Sequence, residues 1–117
     1  LTLFELDDEF VPYLRKKFPG VTVHQAPAQE APGLVSGKAG AVISGLPLLS
    51  MPDAVREGIV AAGFEILAPR GRFVQFTYGP RPPLPPDQIA SLGLTVDKGF
   101  KVWANLPPAR VYRFRRW

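Results

Sequence analysis

Apolar and polar positions follow two different rhythms along this chain, and the switches between them mark out strands and helices. Residues 1–6 (LTLFEL) form a short apolar run ending in acid, which reads as a buried strand. The rhythm then changes: Phe10, Val11, Leu14 and Phe18 follow at steps of one, three and four, one apolar stripe along a helix. Asp7 or Asp8 can cap that helix. Arg15, Lys16 and Lys17 lie near its C-terminal end, where the helix dipole favours cations, and Pro19-Gly20 stops it. Residues 21–24 (VTVH) predict the next strand, and 25–38, rich in Ala, Pro, Gly and Glu, a long connection with room for one helical turn.

Residues 39–44 (AGAVIS) are again an apolar strand, and Gly45-Leu46-Pro47 forces a turn after it. Over 52–67 the helical rhythm returns, with Val55, Ile59, Val60 and Phe64 on one face. Pro69-Arg70-Gly71 predicts a tight turn, and 72–78 (RFVQFTY) a strand rich in aromatic and β-branched residues. Five prolines between 80 and 86 exclude regular structure there. A helical turn over 88–92 and two strands near 94–104 and 110–114 close the chain. Strands alternating with helices imply an α/β fold with a mostly parallel sheet. The last two strands, joined by Asn105-Leu106-Pro107-Pro108, must run antiparallel, because a parallel crossover needs a dozen or more residues.

Composition narrows the chemistry. A chain of 117 residues with 46% apolar content suits one domain with a packed core, and no apolar run approaches the roughly 18 residues of a membrane span. The absence of cysteine excludes disulfides, thiolate nucleophiles and cysteine metal sites; a single histidine, His24, excludes a multi-histidine metal site. The net charge of +4 is concentrated at one end, in Arg110, Arg113, Arg115 and Arg116. These arginines suit phosphate groups on lipid headgroups or nucleic acid, or else keep an edge strand soluble. The start at Leu1, already in strand-like sequence and without Met, reads as a fragment or trimmed domain.

A parallel sheet ending in an antiparallel pair resembles the class I S-adenosylmethionine-dependent methyltransferases, in which the seventh strand runs antiparallel beside the fifth. Three segments carry the resemblance further: SGLPLL (44–49), FVQFTYGP (73–80) and NLPPARV (105–111) look like the bacterial phosphatidylethanolamine (phospholipid) N-methyltransferases, relatives of the ribosomal RNA adenine dimethylases. The resemblance covers essentially the whole chain as the C-terminal part of one Rossmann-like domain. Two departures stand out. The first strand and its Gly-rich Glu-x-Gly-x-Gly-x-Gly turn, where the backbone approaches the cofactor, are missing. The Gly-Asp-Ala that usually contacts the adenine aligns with Ala26-Pro27-Ala28. The family's strand order places the missing strand in mid-sheet, so the chain is expected to be marginally folded or to pair the flanking strands directly, with weak cofactor binding either way.

The resemblance assigns S-adenosylmethionine to Glu5, Leu6, Gln25, Ala26 and Ser44. Glu5 closes a parallel strand, where ligands bind in open α/β sheets and a carboxylate can accept from both ribose hydroxyls; its alternative is a plain acid at a helix start. Ser44, Gly45, Leu46 and Pro47 would line the transfer site, their carbonyls and the Ser44 hydroxyl accepting the hydrogens of an amine and aiming its lone pair; an ordinary strand-to-helix turn would use the same residues. Tyr78, at the next strand end, would hold a methylated ammonium by cation–π attraction, worth roughly 0.5–2 kcal/mol; Phe76, of the same parity, would extend that wall or, the favoured reading, lie in the core. Trp103 reads as packing on a sheet face, and His24 as a structural or cofactor-edge residue rather than a base.

The function implied is N-methylation of the phosphatidylethanolamine amine, in the cytoplasm at the membrane surface, with no metal and no transmembrane segment. The proline-rich 80–86 loop and the C-terminal arginines would touch headgroups. An RNA or small-molecule amine methyltransferase of the same fold is the alternative, although an RNA enzyme should carry a broad basic surface. A catalytically inactive, methyltransferase-like binding module is the third possibility, favoured by the two departures.

Overall fold

A computed structural model describes residues 1–78, 81–102 and 109–116, with the side chains of 98–102 and 109 left aside. In chain order the elements are β1 (Thr2–Phe4), α1 (Phe10–Lys17), β2 (Thr22–His24), α2 (Ala31–Leu34), β3 (Ala39–Ser44), α3 (Asp53–Ile66), β4 (Leu67–Thr77), α4 (Pro86–Ser91), β5 (Leu94–Val102) and β6 (Ala109–Arg116). Single turns of 3-10 helix occupy Ala28–Glu30 and Leu48–Ser50. Trp103, Gly79-Pro80 and the Asn105–Pro108 link lie outside the described residues.

The strands form two separate sheets. β1 pairs in parallel with β2, and a four-stranded sheet runs in the order β3-β4-β6-β5. β3 and β4 are parallel, while β6 is antiparallel to both β4 and β5. The expected antiparallel ending is present, with the last strand inserted between its two predecessors. β6 is therefore an inner strand, and the reading of its arginines as edge protection is overturned. Arg113 forms an ion pair with Asp97, Arg115 Nε donates to Thr95 Oγ1 at 3.2 Å, and the Arg116 guanidinium lies 5.3 Å from the centre of the Phe64 ring.

Direct pairing across the missing strand does not occur: β1 and β3 are not hydrogen-bonded to each other. Nor is there a turn at Pro69-Arg70-Gly71. β4 continues through these residues as an irregularity, five residues advancing from Leu67 to Arg72 against two from Ala39 to Ala41.

The core lies between α3 and one face of the larger sheet. Ile59, Val60 and Phe64 meet Phe73, Tyr112 and Phe114, joined by Leu48, Leu67, Leu84 and Leu94. The Phe64 and Phe73 rings stack at 5.7 Å. That closeness needs Gly63, because a Cβ there would come within 2.5 Å of the Phe73 ring. Val55 is exposed, and Arg56 takes its expected place on the buried face. Along α1 only Val11 of the apolar stripe is buried, while Phe10 and Phe18 remain exposed. Leu84 and Pro83 of the proline-rich loop turn inward and are fully buried, so the middle of that loop is not available to headgroups.

Candidate functional site

The candidate residues gather at the C-terminal ends of the parallel strands, in two groups. At the end of β1, Glu5 N donates to His24 O at 3.1 Å and extends the β1–β2 ladder by one bond. Glu5 Oε1 then accepts from the Leu6 and Asp7 amides, both at 3.1 Å. Asp7 Oδ1 accepts from the Glu9 and Phe10 amides at 2.8 Å, so Asp7 is the acid that starts α1. Gln25, just past β2, reaches across to donate to Asp8 Oδ1 and to Leu6 O. Glu5, Leu6 and Gln25 are thus brought together. His24 packs its ring 5.2 Å from that of Phe4.

A cavity of about 440 Å³ is lined by Glu5, Asp7, Glu9 and Phe10. The cofactor implied by the fold is a sulfonium compound with net positive charge, and three of these four residues are carboxylates, a field of the right sign. A carboxylate offers about four lone-pair directions, so Glu5 can hold its two backbone amides on Oε1 and still receive ribose hydroxyls on Oε2. The residues present fit the group.

The second group surrounds the turn after β3. Ser44 is buried and stands opposite Gln75 of β4. Its Oγ accepts from the Leu46 amide at 3.3 Å, which folds the chain back at Gly45-Leu46-Pro47. The turn then closes on itself: Leu46 O accepts from Leu48 N at 2.9 Å, and Pro47 O from Ser50 N at 3.0 Å. A cavity of about 190 Å³ opens beside it, lined by residues 45–50, 75–78 and Pro83. Leu46, Leu49, Phe76 and Tyr78 all line it and are exposed, giving it an apolar rim. Phe76, expected in the core, is therefore a rim residue.

Arg56 anchors this turn from below. It is only 4% exposed, and its guanidinium donates to Leu48 O and Met51 O, both at 3.2 Å, to Gln88 Oε1 at 2.7 Å, and to Asp53. Gln88 returns a bond from Nε2 to Asp53 O at 3.2 Å. One buried cation thus ties the 48–51 segment to the starts of α3 and α4. Sequence reasoning missed both Arg56 and Gln75; the available signal was a polar residue at an inward position of an apolar helix or strand.

Gly45, Leu46, Pro47 and Tyr78 line one cavity, with Ser44 outside its lining, and Glu5 lines the other, with Leu6 and Gln25 hydrogen-bonded beside it but outside its lining. These two cavities share no lining residue. Nor, among the described residues, is there a group of three His, Cys, Asp or Glu side chains placed to hold a metal, or a helix long and apolar enough to cross a membrane.

The fold is that of the class I S-adenosylmethionine-dependent methyltransferases. A TehB-like S-adenosylmethionine-dependent methyltransferase from Corynebacterium glutamicum superimposes with a TM-score of 0.74 at 18% identity, over 98% of this chain and 67% of that one. The N-methyltransferase NodS from Bradyrhizobium japonicum gives 0.73 at 13% identity, over 99% and 72%. The glycopeptide N-methyltransferase MtfA, in complex with S-adenosylmethionine, gives 0.73 at 15% identity, over 99% and 72%. No protein-family model matches the sequence, and no curated protein matches it.

Proposed function

We propose that the chain is the acceptor side of an S-adenosylmethionine-dependent N-methyltransferase acting on the amine of phosphatidylethanolamine. The observation that carries this reading is the small cavity at the ends of β3 and β4, bounded by Gly45, Leu46, Pro47 and Tyr78, within a methyltransferase fold. Its exposed rim of Leu46, Leu49, Phe76 and Tyr78 suits an acceptor presented at a lipid surface, because apolar side chains ringing a polar pocket can dip among acyl chains while the headgroup enters.

The bound cofactor supplies a methyl group activated by a positively charged sulfur. S-adenosylmethionine would offer that methyl to the lone pair of the neutral amine, and the 45–47 turn and Tyr78 would hold the amine for it. No strong base is required of the chain. Its residues position the amine, shield it from water and set the cofactor's ribose against Glu5, and positioning supplies most of the acceleration in such a displacement. Tyr78 holds the positive charge that builds on nitrogen.

The test is transfer of labelled methyl to phosphatidylethanolamine vesicles by the full-length parent protein, beside parallel assays on RNA and on soluble amines. Transfer to lipid alone is expected. Transfer to RNA alone would replace the lipid reading. Absence of any transfer, with S-adenosylhomocysteine giving no heat in calorimetry, would leave an inactive binding module.

A further inference from the structure

Gln75 was not among the candidate residues, yet it occupies the most constrained polar position in the molecule's larger sheet. It is 0% exposed and stands between Ser44 on β3 and Tyr112 on β6. Its Nε2 donates to Leu46 O at 2.7 Å and to Phe76 O at 3.0 Å. Both partners are carbonyls and can only accept, so the orientation of the amide is fixed with its NH2 toward them. That leaves Oε1 buried with no hydrogen-bond partner. An unmet amide oxygen costs roughly 1–3 kcal/mol, which an apolar side chain of the same size would avoid.

Gln75 also lines the cavity between the Ser44 turn and Tyr78. Three carbonyls of the turn are already used. Leu46 O accepts from Leu48 N and Gln75, Pro47 O from Ser50 N, and Leu48 O from Met51 N and Arg56. Backbone oxygens of the turn were the expected acceptors for a substrate amine, and these three are occupied.

The geometry points to Gln75 Oε1 as the acceptor that selects the substrate: it takes an N–H of an amine entering this cavity. The inference rests on the N-methyltransferase reading and deepens it. Amines that carry an N–H are bound; a quaternary ammonium, which has none, loses this bond and keeps only the attraction of Tyr78. The same preference discharges a fully methylated product. It also makes a third methyl transfer the slowest, because a neutral tertiary amine offers a lone pair but no N–H.

Titration of the full chain with ethanolamine and with choline, followed by the side-chain NH2 signals of Gln75 in 1H–15N spectra, tests this. Ethanolamine is expected to move those signals and choline to leave them unmoved. Gln75→Met should weaken ethanolamine binding about tenfold, the worth of one hydrogen bond to a charged donor, and leave choline unchanged. The wild-type spectra keep the test valid should that variant fail to fold. Equal response to both ligands, an ethanolamine preference that survives in Gln75→Met, or Gln75 signals indifferent to ethanolamine would each overturn the proposal; the last would mean that an enclosed water fills the acceptor. Calorimetry with S-adenosylhomocysteine is read separately, so loss of cofactor binding sinks methyl transfer without touching the amine preference.

Discussion

Glu5 shows how one side chain can satisfy two readings. Its Oε1 folds back onto the loop before α1, accepting from the Leu6 and Asp7 amides. Only the second oxygen is left for a ligand. Glu5→Gln separates the roles, because the amide keeps an acceptor for the two backbone groups while losing the charge and one acceptor. S-adenosylhomocysteine binding should weaken about tenfold, or about 1.4 kcal/mol, with the melting temperature unchanged. Calorimetry and a thermal scan check both halves, and an unchanged affinity would reduce Glu5 to its local role. That Glu5 closes a strand was legible in the sequence, since the apolar run breaks there. Gln75 was not legible: a lone glutamine between Val74 and Phe76 looks like the outward position of a half-buried strand, and here the alternation is reversed, with Gln75 inside and Phe76 at the rim. Only the unmet Oε1 reveals why a polar group belongs there.

At the scale of elements, α3 holds the site in place by two contacts that oppose each other in kind. The buried Arg56 guanidinium fastens the 48–51 turn and α4. Replacing it with Met removes the donors but keeps most of the volume, leaving Leu48 O, Met51 O and Gln88 Oε1 without that partner. A loss of about 3 kcal/mol is expected, read as a lower urea midpoint at unchanged slope; a loss near zero would show that the turn stands without it. Gly63 works through absence, letting Phe73 reach Phe64. Gly63→Ala gains about 1 kcal/mol of helix propensity but overpacks by about 1–3 kcal/mol, so a net loss near 1 kcal/mol is expected, and a Phe73→Leu partner change should relieve it in a double-mutant cycle. The periodicity located α3 to within a residue at each end, because a long amphipathic run is its own signal. Which face was buried came out one residue wrong, since Val55 was preferred to Arg56 on hydrophobicity alone and the arginine's partners lie on segments the periodicity does not relate.

For the molecule as a whole, the decisive feature is a sheet in two pieces. The antiparallel closing pair was readable from the length of its link and the place of the last strand from the family resemblance, but whether β1 and β3 would meet was not, because no local pattern encodes a pairing between strands so far apart in the chain. They do not meet, and among the described residues no strand pairs with the side of β3 away from β4. The exposed face nearby is apolar: Ile43 is 71% exposed, and Phe76 lies open as well. An unpaired edge flanked by apolar side chains is a template for pairing with another chain. The chain alone should therefore self-associate as its concentration rises, with light scattering as the measure. Ile43→Lys puts a charge at that edge, the device by which natural sheets prevent such pairing. Because the side chain already faces solvent, stability should move by no more than about 0.5 kcal/mol while association falls. If association persists in Ile43→Lys, the contact lies elsewhere, and the exposed Phe10, Tyr13 and Phe18 of the α1 region become the surface to change next.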